Sequence, residues 1–247
     1  MKLSRLLLPL LALGAFSLHC AAAELNQLTA GEKAAGWKLL FDGKSFTDWR
    51  EYNRPMFRAE GWSIDDGCLK NGKGNGRPGS SGGDIVTVEH FADFDFRFEW
   101  KIVPGGNSGV KYFINEQRDR NAAIGHEYQL LDDAEHPDGK NGPIRQTGAL
   151  YSLIPPNGGK KLRPVGQFNE SRIVVQGKHV EHWLNGTKIV EYELESQPLL
   201  AAIAKSKYKS VPGFGTKFKT SILLQDHGFE VWFRNLKIRL LAAPINN

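Results

Sequence analysis

"FDFRFEWKI", Phe94 to Ile102, alternates apolar and charged side chains without interruption. In a β-strand, successive side chains point to opposite faces of the sheet, so this stretch has one apolar and one charged face. A helix would distribute the same residues around its whole circumference. The stretch therefore predicts a strand that buries its aromatic face in a core and presents its charged face to solvent.

Other segments carry the same kind of signal. Gly177-Lys178 and Asn185-Gly186 suit tight turns between neighbouring strands, and Asn-Gly is typical of a two-residue hairpin. Many short antiparallel strands joined by such turns indicate an all-β fold, a two-sheet jelly-roll sandwich. The further predicted strands are Val110–Ile114, Arg172–Gln176, His179–Leu184, Thr187–Leu194, Ser221–Leu224 and Phe229–Leu240.

Signals for helices are few. Thr29 to Ala35 predicts a short helix, in which Thr29 is the N-cap and Glu32 completes a capping box. Gln197 to Lys207 predicts a second one. The glycine-rich stretch from Asn71 to Gly83 predicts a long, mobile loop, a kind of segment that is often functional.

The N-terminus has the features of a signal peptide, residues 1–23. Lys2 and Arg5 precede an apolar stretch that is too short to span a bilayer, and small residues follow it. Cys20 raises a lipoprotein alternative, which is less favoured because His19 stands directly before it. We therefore expect a periplasmic or secreted protein without a transmembrane segment.

Length, charge and cysteine content limit the kind of protein further. A chain of 247 residues with 40% hydrophobic content suits one globular domain, here the jelly roll over residues 24–247. Loss of the signal peptide lowers the formal net charge from +5 to +3, because Lys2 and Arg5 leave with it. The basic residues are scattered, so no nucleic-acid partner is predicted. Cys68 would be the single cysteine of the mature chain, and we expect it to be a small buried hydrophobe.

The stretch "GHEYQLLDD", residues 125–133, reads as a strand with unusually many polar residues. Glu127 and Gln129 share one face, and Tyr128 and Leu130 share the other. If Tyr128 and Leu130 enter the core, Glu127 and Gln129 face outwards, where an acid and an amide can bind the vicinal hydroxyls of a sugar. An ordinary solvated strand face explains the same pattern, and both interpretations stay open.

Two further polar groups flank predicted strands. Asn107 and Ser108 stand at the start of one strand, and Gln225 and His227 follow another. A histidine at a strand end can act as an acid or a base near neutral pH. Simple turn chemistry is the alternative reading of these residues.

An acidic turn follows the polar strand. Asp132, Asp133, Glu135, His136 and Asp138 supply oxygen and nitrogen ligands at a density that could hold calcium, manganese or another divalent ion. The spacing does not match an EF-hand loop. Asp132 is the candidate ligand.

Seven stretches in this order resemble the DUF1080 family, the 3-keto-disaccharide hydrolases. The resemblance covers nearly all of the mature chain, from about Trp37 to Leu241. Each motif alone is weak, and their order makes the set specific. They are "LLFDGKSFTDWR", "GDIVTVEHFADFDFRFEWKI", "GGNSGVKYF", "GHEYQLLDD", "TGALYSLIPP", "GQFNESRIVVQGKHVEHWLNG" and "LLQDHGFEVWFRNLKI".

The resemblance implies a concanavalin A-like, glucanase-type jelly roll. Retaining β-glucanases of similar fold carry the motif Glu-x-Asp-x-x-Glu, where this chain has Glu127, Gln129 and Asp132. A retaining hydrolase needs two carboxyl groups about 5 Å apart. Since Gln129 cannot ionise and Asp132 has the opposite parity, the two-carboxylate mechanism is doubtful here.

A 3-keto sugar, which the resemblance implies as substrate, offers another route. The ketone acidifies the hydrogen on C2, a base removes it, the enolate expels the group at C1, and water adds back. Glu127 and His227 are the candidate catalytic residues, and a divalent metal, Asn107 or Gln225 could stabilise the enolate. A separate sugar 3-dehydrogenase would have to supply the ketone. The substrate-binding candidates are Asn107, Ser108, Lys111, Gln129 and Gln225.

A non-catalytic carbohydrate-binding module on the same fold is the alternative function. It would bind a glycan without releasing a product.

Overall fold

The computed structural model describes residues 24–58, 60–116 and 123–243. The predicted signal peptide, residues 1–23, lies outside the described residues. No helix within the described ranges is long and apolar enough to cross a membrane.

The larger sheet is built around the strand that the opening stretch predicts. All five apolar residues of Phe94–Ile102 are buried, and its neighbours pair with it in antiparallel register on both sides. The strand order is β11-β10-β9-β6-β13-β4-β3, with β1 also paired to β13. The strands are β1 Trp37–Leu39, β3 Trp62–Asp65, β4 Cys68–Asn71, β6 Phe94–Ile102, β9 Asn169–Gln176, β10 His179–Leu184, β11 Thr187–Glu193 and β13 Val231–Leu240.

The smaller sheet has five strands and packs its apolar face against the larger one. Its order is β2-β5-β12-β7-β8, and every pair within it is antiparallel. The strands are β2 Trp49–Glu51, β5 Ile85–Thr87, β7 Asn107–Asn115, β8 Ile124–Leu131 and β12 Leu223–Leu224.

One hydrophobic core lies between the two sheets. Trp100 and Phe98 of β6 meet Tyr128 and Leu130 of β8 in it, and none of the four is more than 1% exposed. Burying a large apolar side chain contributes about 1.5–3 kcal/mol, so the alternating strands supply most of the driving force. The all-β, two-sheet prediction is confirmed. Cys68 is also buried, as predicted.

The two predicted helices are present and short: α1 is Ala30–Ala34 and α2 is Gln197–Ala204. Thr29 caps α1 through a capping box, in which the Thr29 hydroxyl accepts from the Glu32 N–H (3.1 Å). Two 3₁₀ turns, Pro137–Asn141 and Pro143–Arg145, follow β8.

The predicted strands Ser221–Leu224 and Phe229–Leu240 begin earlier than the observed ones. The stretch before Leu223 pairs irregularly, because the Ile222 N–H donates to the Thr87 hydroxyl and not to a backbone carbonyl (2.9 Å). β13 begins only at Val231, since Gly228 with φ +77° belongs to a turn.

Candidate active site

A cleft opens on the outer face of the smaller sheet, over β7, β8 and the end of β12. Its volume is about 310 Å³. That is the size of a small ligand pocket. The lining residues are Pro78, Asn107, Lys111, Ala123, Ile124, Gly125, Glu127, Gln129, Tyr151, Lys207, Tyr208, Val211, Gln225 and His227.

The floor of the cleft carries a buried ion pair. Lys111 of β7 and Glu127 of β8 are direct cross-strand partners, and their charged atoms Nζ and Oε2 lie 3.6 Å apart. The Lys111 ammonium also donates to the carbonyl of Ala123 (3.2 Å). Both side chains are less than 8% exposed. Burying two charges is expensive, so such a pair with a single further hydrogen bond points to a functional role rather than to a contribution to stability.

Gly109 leaves the space between Glu127 and Gln225 open. A Cβ atom at this position would lie 2.7 Å from Oε1 of Glu127 and 3.1 Å from Oε1 of Gln225. Its backbone carbonyl accepts from the N–H of Gln225 (2.9 Å), which fixes the end of β12 beside β7. The glycine therefore brings an acid and an amide together over an uncovered stretch of backbone.

Several polar atoms in the cleft lack a partner among the described residues. The side-chain amides of Gln129 and Asn107 lie 3.1 Å apart, and the other end of the Gln129 amide is buried without a hydrogen bond. Oε1 of Gln225 and Nδ1 of His227 are also buried without a hydrogen-bond partner. Because unsatisfied buried polar groups cost about 1–3 kcal/mol each, their gathering in one cleft indicates that a polar ligand satisfies them.

The outward parity of Glu127 and Gln129 is confirmed, with Tyr128 and Leu130 in the core. Neither residue is on a solvated face, however. Both are buried at the bottom of the cleft, because loops from other parts of the chain rise around them.

One wall comes from the segment that follows α2. Tyr208 is buried and stacks on Phe214 with ring centroids 4.2 Å apart. The ammonium of Lys207 leans over the ring of Tyr151, 4.4 Å from its centroid, although the residue as a whole is exposed. The segment has no periodic pattern by which its sequence could place it.

The opposite wall is the glycine-rich loop between β4 and β5, which contributes Pro78. The buried carboxylate of Asp226 accepts from the N–H groups of Ser81 (2.8 Å) and Gly83 (2.9 Å). The loop is thus fastened to the residue directly before His227, which does not fit the expectation of a mobile loop.

Tyr151, on the third side, was not a predicted site residue. Its hydroxyl donates to Asp138 (2.6 Å), and Arg145 donates to the same carboxylate (2.8 Å). Burial, and then the hydrogen bond to Asp138, hold the pKa of Tyr151 well above its ordinary value, so the phenol stays protonated.

Two titratable groups of the cleft are held in the uncharged state or biased toward it. Burial lowers the pKa of His227, with Glu127 opposing this effect, so the imidazole is neutral near pH 7. Partial burial likewise lowers the pKa of Lys207, against the opposing charge of Glu127. A neutral histidine with an open Nδ1 is suited to accept a proton.

Ser108 and Asp132 do not line the cleft. The Ser108 hydroxyl donates to the carbonyl of Gln225 (2.8 Å), which makes it a support for a cleft residue. The Asp132 carboxylate accepts from the N–H groups of Gly105, Ala134 and Glu135 and so holds a turn.

The acidic turn does not fit a metal site well. Asp133 pairs with Lys160 (2.6 Å) and Asp138 with Arg145, so their oxygens already have charged partners. Within the described ranges, the one group of three ligand-type side chains close together is His179, Glu181 and Glu191, on the outside of the larger sheet, where Lys188 already pairs with both acids. A metal requirement stays a prediction.

Residues 36–239 match the family model described as the 3-keto-alpha-glucoside-1,2-lyase-like domain. The chain belongs to this family. A "3-keto-disaccharide hydrolase" of Bacteroides thetaiotaomicron is 35% identical over 250 residues, which cover 92% of this chain and 86% of the relative. The predicted family is confirmed, and as one of its members the chain is a glycosidase-type enzyme.

Solved structures agree with the fold. A glycosyl hydrolase from Parabacteroides distasonis superimposes with a TM-score of 0.79 at 35% identity, covering 89% of this chain and 100% of that one. A second glycosyl hydrolase from the same organism gives a TM-score of 0.63 at 27% identity, covering 83% and 99%.

Proposed function

We propose that the protein cleaves the glycosidic bond of 3-keto-glycosides, including 3-keto-disaccharides, by elimination followed by addition of water. The observation that carries the proposal is the single acid of the cleft. Among the described residues that line it, Glu127 is the only carboxylate. A hydrolase that uses two carboxyl groups has no second one here, whereas base-initiated elimination needs one.

Glu127 removes the proton from C2, next to the ketone. The electron pair moves into the C2–C3 bond, and negative charge develops on the ketone oxygen. The ammonium of Lys111, 3.6 Å from Glu127, supports this charge from the floor of the cleft. The enolate then expels the C1 oxygen, which takes its proton from the carboxyl of Glu127, and a C1–C2 double bond forms.

Water completes the reaction. His227, neutral and with Nδ1 unpaired, takes a proton from water while the hydroxide adds to C1. The resulting enolate takes that proton back at C2. The sum is one glycoside and one water converted into a 3-keto sugar and an alcohol, with both residues returned to their starting states.

The cleft also offers groups that can bind the proposed substrate. The unpaired amide of Gln129 and Oε1 of Gln225 lie where hydroxyl and carbonyl groups of a sugar ring can bond them. The amide of Asn107 holds Gln129. The ring of Tyr208 forms part of the wall and offers an apolar face for the sugar.

The substrate ketone must come from a separate sugar 3-dehydrogenase. We also propose, from residues 1–23, that the reaction takes place in the periplasm or outside the cell.

The test is turnover of 3-keto-trehalose and of a 3-keto-glucoside, each beside its unoxidised parent, with and without a chelator. Cleavage of the keto forms alone is expected. Cleavage of the parents would contradict the proposed chemistry, and binding without any product would make the chain a carbohydrate-binding module. Loss of activity with chelator would support the predicted requirement for a divalent metal.

A further inference from the structure

A row of three polar side chains leads from the turn after β8 to the floor of the cleft. The Nε2 atom of His136 lies 3.4 Å from Nδ2 of Asn107, and Oδ1 of Asn107 lies 3.1 Å from Nε2 of Gln129. Asn107 and Gln129 are both buried. Gln129 ends the row in the cleft, and its far end has no partner.

The polarity of the row is set at His136. The backbone N–H of Asp138 donates to Nδ1 of His136 (3.1 Å), and a backbone N–H can only donate. A ring nitrogen that accepts carries no proton, so His136 is the neutral imidazole. A neutral imidazole has one proton, and since Nδ1 accepts, Nε2 carries it.

This polarity passes along the row. A protonated Nε2 of His136 has to face the oxygen of Asn107. With the amide nitrogen in that place, two N–H donors would point at each other. The nitrogen of Asn107 then faces Gln129, which must accept through its oxygen. The oxygen and nitrogen of a side-chain amide occupy nearly the same space, so the hydrogen-bond network decides between the two orientations.

We propose that His136, acting through Asn107, holds Gln129 with its NH₂ group toward the cleft, where Gln129 donates a hydrogen bond to the ketone oxygen of the substrate. The identity of that oxygen rests on the proposed function, whereas the direction of the hydrogen bonds does not. His136 is a positioning residue, and Gln129 is the catalytic residue that it orients.

The orientation matters because Oε1 of Gln225, which is also buried in the cleft without a partner among the described residues, is an acceptor. It suits a hydroxyl group and cannot stabilise an enolate oxygen. A neutral donor fixed in place before the reaction is what a developing oxyanion needs, and loss of one such donor costs about 10² to 10³ in rate. Gln129 would share this task with Lys111.

The first arm of the test reads the tautomer directly. The ¹⁵N shifts of His136 in labelled wild-type protein, assigned by the loss of its signals in His136→Asn, should show Nε2 protonated and Nδ1 unprotonated at pH 7. A proton on Nδ1 would overturn the inference whether or not the protein turns over a keto sugar, so failure here is distinct from failure of the proposed function.

The second arm measures kcat and KM with two variants. In Asn107→Asp the side chain can only accept, so Gln129 has to turn its NH₂ away from the cleft. We expect kcat to fall by about 10²-fold with a much smaller change in KM. If Gln129 already donated to Asn107, the aspartate would keep that bond.

The variant His136→Asn adds no charge. Asparagine is a good N-cap and still accepts from the Asp138 N–H, but it is too short to donate to Asn107. We expect a fall in kcat smaller than that of Asn107→Asp, with the unfolding temperature little changed. If both variants keep kcat within about twofold of wild type, the catalytic role of Gln129 as a donor is wrong.

The matched control is Asn157→Asp. Asn157 is exposed and away from the cleft, and its side chain also makes one donor and one acceptor bond, to Lys188 and Gly159. This variant is expected to retain wild-type kcat and KM.

Discussion

The two faces of the β7–β8 hairpin carry polar groups one residue apart. These groups are hydrogen-bonded to one another on the core face and make few hydrogen bonds on the cleft face. On the core face, Tyr112 and His126 join Tyr192 and His182 of the larger sheet in one hydrogen-bonded chain. On the cleft face, Lys111 and Glu127 make few bonds. Both sets are buried, and only the second opens to a cleft.

The direction of the core chain can be followed from end to end. His182 donates from Nδ1 to the carbonyl of Gly148 (3.0 Å), so its Nε2 accepts from the Tyr112 hydroxyl (2.7 Å). Tyr192 then donates to Tyr112 (2.9 Å) and accepts from Nδ1 of His126 (2.7 Å). Such a chain joins the two sheets and leaves one atom, Nε2 of His126, without a partner among the residues that the structure describes. Satisfied polar groups indicate architecture, and unsatisfied ones indicate a ligand site.

The largest effect is expected on the cleft face, from Glu127→Gln. The variant loses the base, and kcat should fall by about 10² to 10⁴-fold while the protein still folds and binds sugar. The exposed Glu195→Gln, a matched loss of one carboxylate, should leave kcat unchanged. Wild-type turnover by Glu127→Gln would contradict the role of Glu127 as the base and the assignment of the cleft as the active site.

Gly109→Ala tests the space between Glu127 and Gln225. The new methyl group would approach Glu127 to 2.7 Å and displace its carboxylate. A displacement of this kind should lower kcat/KM by about 10 to 10²-fold. Gly31→Ala in α1, where a Cβ meets nothing closer than 4.0 Å, is the control with unchanged kinetics.

Tyr192→Phe should lower the stability of the protein and leave its turnover nearly unchanged. It removes the hydroxyl that joins His126 to Tyr112 and leaves buried polar groups unpaired, at a cost of about 1–3 kcal/mol. The unfolding temperature should drop by several degrees, at roughly 2–4 °C per kcal/mol, with kcat close to wild type. A selective loss of activity at unchanged stability would show that the core chain takes part in catalysis.

The most gradual effect is the pH dependence of stability. Burial lowers the pKa of His126 to about 3 and of His182 to about 4, from 6.5 in each case. Between these values and 6.5 the unfolded chain binds more protons, so the free energy of unfolding should fall as the pH decreases from 6.5 to 4. Asp84, whose pKa burial raises to about 6, acts in the opposite direction with a smaller shift. Urea denaturation at several pH values measures the sum, and constant stability from pH 6.5 to 4 would contradict it.

Most of the cleft could be predicted from the sequence because strand parity is a local property. Six of the eight predicted site residues line it: Asn107, Lys111, Glu127, Gln129, Gln225 and His227. Ser108 points the other way and is buried behind Gln225, since it alternates with Asn107 along β7. Asp132 is bound into a turn by backbone N–H groups, which no spacing rule could show.

Residues from loops were harder to place. Tyr151, Lys207 and Tyr208 reach the cleft from segments without periodicity. The glycine-rich loop is held by Asp226, 145 residues away from Ser81 in the chain. Contacts of this kind depend on where the sheets bring distant strands together, so they cannot be predicted from the local sequence pattern.

The sequence by itself determined the alternation of side chains along each strand, and with it the all-β class, the core face and the outward direction of Glu127 and Gln129. These features follow from a backbone period of two, which acts between neighbouring residues. Only the tertiary structure decided that this outward face lies at the bottom of a cleft, that Lys111 meets Glu127, and that His136, Asn107 and Gln129 lie in one row. Each of those facts depends on strand register and loop packing, because burial and hydrogen-bond direction are properties of the assembled sheets.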